Sequence, residues 1–109
     1  MASRRPRRPA GAFASYASPD ALESPARFIA TLKSEDGLAV AGAWVSIHLH
    51  GPGLLRPEGA YDGRGFTLQQ TDDSGVVAFT WLPPPSSANG PIRLGASSAS
   101  PGNLRLRRL

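Results

Sequence analysis

The chain has 109 residues, 40% apolar and 18% charged, which suits one domain with one core, and no stretch approaches the roughly 20 apolar residues of a membrane-spanning helix. No cysteine is present, so disulfide staples, thiolate metal ligands and a cysteine nucleophile are excluded. The formal net charge of +4 is concentrated at the ends, with Arg4, Arg5, Arg7 and Arg8 at one and Arg105, Arg107 and Arg108 at the other, around a nearly neutral body.

Residues 1–25 are rich in Arg, Pro, Ala and Ser and show no apolar period, so they are expected to form a basic arm, extended or disordered. The arginine cluster resembles the start of a signal peptide, but no apolar segment of the required length follows it. The chain as written is therefore expected to be neither secreted nor membrane-embedded, with its compartment open. Phe13 and Tyr16 are candidates to dock on the body or on a neighbour. The folded domain is expected over residues 26–109.

From Ala26 the texture changes. Phe28, Ala30 and Leu32 alternate with Arg27, Ile29, Thr31 and Lys33, the period of a half-buried strand. Ser34-Glu35-Asp36-Gly37 supplies turn chemistry. In the next strand Ala43, Val45, Ile47 and Leu49 share one face, while Trp44, Ser46, His48 and His50 share the other. Residues 51–64 read as a loop rich in glycine and proline. Phe66, Leu68 and Gln70 then alternate with Thr67, Gln69 and Thr71, and the apolar set is read as inward.

Asp72-Asp73-Ser74-Gly75 reads as a tight hairpin turn into a strand carrying Val77, Phe79 and Trp81, which Pro83-Pro84-Pro85 stops. Ile92, Leu94 and Ala96, then Leu104 and Leu106, repeat the alternation. No window carries helical periodicity, and the many glycines and prolines oppose helix. An all-β sandwich follows, because a parallel α/β sheet would need crossover helices.

Two segments carry a resemblance. Gly37 to Val45 reads G-L-A-V-A-G-A-W-V, and Thr71 to Phe79 reads T-D-D-S-G-V-V-A-F. Together they resemble bacterial immunoglobulin-like and carboxypeptidase-regulatory-like (transthyretin-like) β-sandwich modules over about residues 26–98, with Ala39 where the family usually has proline. The resemblance implies a single sandwich of about six to seven strands and work of binding or spacing, as in surface adhesins, spacer domains and virion proteins. It does not imply catalysis. A weaker similarity to intradiol dioxygenases lacks that family's paired Tyr and His ligands, since Tyr16, Tyr61, His48 and His50 do not reproduce the set.

His48 and His50 stand two apart on one strand, a spacing that can hold a metal only with further ligands that the sequence does not place. Solvent-facing or partner-facing imidazoles are the plainer reading. Trp44 beside them is a large aromatic on the polar side of a strand and calls for a cover: the arm, the 51–64 loop, a second subunit or a sugar ring. The carboxylates fall in turns, where they cap backbone N–H groups, and no nucleophile elbow, phosphate loop or metalloprotease motif occurs.

These features point to a non-catalytic structural or interaction module without a cofactor. It is expected to self-associate or dock on a partner protein in a virion, filament or cell-surface assembly. Trp44, His48, His50, Phe13 and Tyr16 are the expected contact residues, aided by Arg4, Arg5, Arg7 and Arg8. The alternatives are a basic-tailed binder of nucleic acid or another polyanion, and a carbohydrate-binding adhesion module.

Overall fold

The computed structural model describes residues 11–22, 24–85 and 90–109. The described chain is all-β, with strands β1 (Ala12–Ala17), β2 (Ala26–Lys33), β3 (Trp44–His50), β4 (Leu54–Pro57), β5 (Phe66–Gln70), β6 (Val76–Leu82), β7 (Arg93–Ser98) and β8 (Asn103–Arg108). They form two antiparallel four-stranded sheets, ordered β1-β7-β3-β5 (sheet A) and β4-β6-β2-β8 (sheet B), in a sandwich-like arrangement. Each strand turns one set of alternate side chains inward, so the two apolar faces close over each other.

The core is built where the alternation is strongest. Phe28, Leu32, Val45, Ile47, Leu55, Phe79, Trp81, Ile92 and Leu94 are all essentially inaccessible. Phe28 stacks on Phe79 at 5.5 Å between ring centroids, and Tyr16 meets Phe28 edge-on at 4.9 Å. The Trp81 indole Nε1 donates a 2.9 Å hydrogen bond to the Pro52 carbonyl, so the largest buried ring is also satisfied.

Several expectations are corrected. There are eight strands among the described residues rather than six or seven, because two segments with weak periodicity pair anyway. Residues 12–17 of the expected arm form β1, whose Tyr16 and Ala12 add to the core and whose backbone pairs along β7. The folded region therefore begins before residue 26. Within the 51–64 loop, Leu54–Pro57 pairs with β6 as β4.

Asp72–Gly75 is not the turn of a hairpin between paired strands, since β5 lies in sheet A and β6 in sheet B. It is a corner that carries the chain across the sandwich. Asp72 Oδ1 accepts from the Ser74 and Val76 amides at 2.8 and 3.0 Å, and Gly75 turns at φ 77°.

The last correction concerns facing. Phe66 and Leu68 point outward, 48% and 56% exposed, while Thr67 and Thr71 are buried. Opposed residues of an antiparallel pair share a face, and β5 pairs Thr67 with Ile47 and Gln69 with Val45. The longer apolar set of β3 decides the parity, and β5 follows it. A slip of one residue would invert every side chain of the strand.

Candidate functional interface

The outer face of sheet A gathers most of the expected contact residues. Its rows follow from the pairing: Trp44 lies beside Gln70; Phe13, Ser97, Ser46 and Leu68 run straight across; Ser15, Gly95, His48 and Phe66 form the next row; and His50 lies beside Arg93. His48 stacks on Phe66 with ring centroids 5.9 Å apart and planes 22° from parallel. Ser46 and Ser97 share a 3.0 Å hydrogen bond in the middle of the face. The centre is thus made of small groups, with aromatic groups standing at both sides.

Trp44 is 55% and Phe13 67% exposed, so the described chain leaves both rings open to solvent. With Phe66 and Leu68 they expose roughly 400 Å² of apolar surface, taking half of about 200 Å² for each side chain, which is the size of patch that commonly marks an interaction site. Trp44, Leu68, Phe66 and His48 are neighbours, and Phe13 stands at the far edge beyond the two serines. Sequence reasoning missed Phe66 and Leu68 because their apolar character placed them inward. The signal that finds them is the parity imposed by β3.

Tyr16 belongs to the core side of β1, against Phe28, and takes no part in this face. Arg4, Arg5, Arg7 and Arg8 lie outside the described residues. His48 and His50 both stand exposed, and no group of three His, Cys, Asp or Glu side chains suited to a metal occurs among the described residues.

The outer face of sheet B has the opposite chemistry. Arg27, Lys33, Arg56, Arg105 and Arg107 project from it, in rows set by the pairing of β2 with β6 and β8 and of β4 with β6. Arg27 pairs with Glu58 at 3.0 Å in an exposed position. Lys33, Arg105 and Arg107 line a shallow depression of about 750 Å³ with Thr31, Asn103 and Glu35. Comparison with protein families, curated proteins and solved structures finds no match to this chain.

Proposed function

We propose that this protein is a non-catalytic interaction module of immunoglobulin-like or transthyretin-like type that self-associates through the outer region of sheet A. The observation that supports this best is the exposure of Trp44, Phe66 and Leu68 side by side on one sheet face, together with Phe13. Apolar groups so placed cost solvation free energy in a monomer and recover it when a second surface covers them. A virion, filament or surface assembly would present many such contacts.

The expected result is mass-action behaviour. In sedimentation or light scattering the average mass rises with concentration, and Trp44→Ser raises the dissociation constant about tenfold or more. Trp44 emission shifts blue as the oligomer forms, while Trp81, already buried, contributes a constant background. A chain that stays monomeric at high concentration removes this reading.

The cationic face of sheet B supports a second reading, in which the module holds a polyanion such as nucleic acid. Binding would then weaken steeply with salt, and each phosphate no longer neutralised would flatten the log–log slope by roughly 0.9. Arg105→Ser with Arg107→Ser is expected to reduce that slope by about two, and removal of residues 1–10 to reduce it further. Affinity indifferent to salt and to both changes excludes it.

A further inference from the structure

Each sheet has two edges, and three of the four are occupied or guarded. On β4, Pro57 has no N–H, and Leu55 exchanges backbone hydrogen bonds of 2.6 and 2.8 Å with Arg64 of the following loop. On β8, three arginines discourage a further strand, and β1 runs alongside β8 on that flank of the sandwich. The edge of β5 differs. Its sequence, Phe-Thr-Leu-Gln-Gln, has no charge and no proline, and it borders a groove of about 420 Å³ between β5 and the β4 flank.

The direction of its free hydrogen-bonding groups follows from the ladder. Leu49 N–H donates to the Gly65 carbonyl and Thr71 N–H to the Ala43 carbonyl, so the odd residues of β5 bond to β3. The N–H and C=O groups of Phe66, Leu68 and Gln70 therefore point away, toward the open edge. The odd side chains of the same strand stay inside the monomer. Thr67 Oγ1 and Gln69 Oε1 are buried side-chain atoms without a hydrogen-bond partner, and Thr67 is only 3% exposed. Buried polar atoms left unpaired are uncommon and costly.

We propose that β5 pairs edge to edge with β5 of a second copy, antiparallel about a two-fold axis through Leu68. This register sets Leu68 opposite Leu68 and Phe66 opposite Gln70, and it uses all three pairs of free backbone groups. It also sets Thr67 opposite Gln69 of the second copy, at a closely spaced position where side chains approach. The two four-stranded sheets become one of eight strands, and the Trp44–Phe66–Leu68 patches join across the axis. The pairing rests on the self-association reading and identifies where it occurs.

Amide exchange and charge pairing test the two separately. Across about a hundredfold range of concentration, exchange at the Phe66, Leu68 and Gln70 amides is expected to slow as the dimer forms, while Thr67 and Gln69 amides are protected throughout. Leu68→Lys and Leu68→Glu are each expected to be folded monomers, and their equimolar mixture to dimerise, because residue 68 faces itself across the axis. Thr67→Val, a change confined to the interior, is expected to leave monomer stability unchanged or raised and the dimer as strong as the parent's. A dimer whose Phe66, Leu68 and Gln70 amides exchange at the same rate at every concentration overturns the edge pairing and leaves the outer-face contact standing. A dimer that survives Leu68→Lys alone overturns it likewise, as does protection of those amides only when an unrelated extended peptide is added. A chain monomeric throughout overturns both.

Discussion

Trp81→Ala is expected to bring the domain to the edge of unfolding. The ring is fully buried at the centre of sheet B, opposite Ala26 on β2 and Leu55 on β4. Removing so large a buried side chain costs about 3–5 kcal/mol, against a total stability of about 5–15 kcal/mol for a domain. Trp81→Phe separates the two contributions of the residue. It keeps an aromatic ring but leaves the Pro52 carbonyl without its indole donor, at a cost of about 1–3 kcal/mol. The same indole explains Gly53, which turns at φ 100° and where an added Cβ would collide with the Leu82 carbonyl and the Trp81 ring. Gly53→Ala is strained on both counts. Denaturant titration orders the variants as parent, Trp81→Phe, Trp81→Ala. A Trp81→Ala melt within a few degrees of the parent would show that the ring does not carry this part of the core.

Why most strands are legible in the sequence, and two of them not, has a physical basis in particular residues. β2, β3 and β6 carry three or four inward apolar groups at period two, β7 carries Leu94 and Ala96 with Ile92 just before it, and their burial follows that period. β1 offers Ala12, Ala14 and Tyr16, too small and mixed a set to stand out beside an arginine-rich segment. It forms because β7 needs a partner on that side and the backbone can provide one. β4 is four residues ending in proline, which local signals assign to a loop. Pairing with β6 and cover by Arg64 hold it in place.

The candidate interface is half legible for the same reason. The side of β3 that carries Trp44, His48 and His50 is evident from four alternating apolar partners. Phe66 and Leu68 break the usual rule that apolar means inward, and only knowledge of which strand β5 pairs with reveals it. Strand pairing is a long-range property that no local window contains. The orphaned Thr67 and Gln69 atoms are the other side of this inversion: polar groups occupy inward positions because the parity of the neighbouring strand puts them there.

The parity set by β3 has a side-chain anchor at Thr71, and Thr71→Val tests how much that anchor adds. Thr71 Oγ1 donates to the Val40 carbonyl at 2.6 Å and accepts from the Ala43 amide at 2.9 Å. Its own backbone N–H donates to the Ala43 carbonyl, and its carbonyl accepts from Gly42 N–H. The two segments that resemble the module pattern, 37–45 and 71–79, are thus stitched together at Thr71, at the start of β3 and the end of β5. Valine has the same shape and no hydroxyl, so the fold keeps its packing and loses both side-chain bonds, leaving the buried Ala43 amide without that acceptor. The expected cost is about 2–3 kcal/mol, which for a domain of this size lowers Tm by roughly ten degrees. Thr71→Ser, which restores the oxygen, recovers most of it. Because this anchor keeps the odd residues of β5 inward, its loss is also expected to speed amide exchange at Gln69 and Thr71 before the rest of sheet A and to weaken self-association. A Thr71→Val variant as stable as the parent, with unchanged exchange along β5, would mean that pairing with β3 alone sets which face of the strand is displayed.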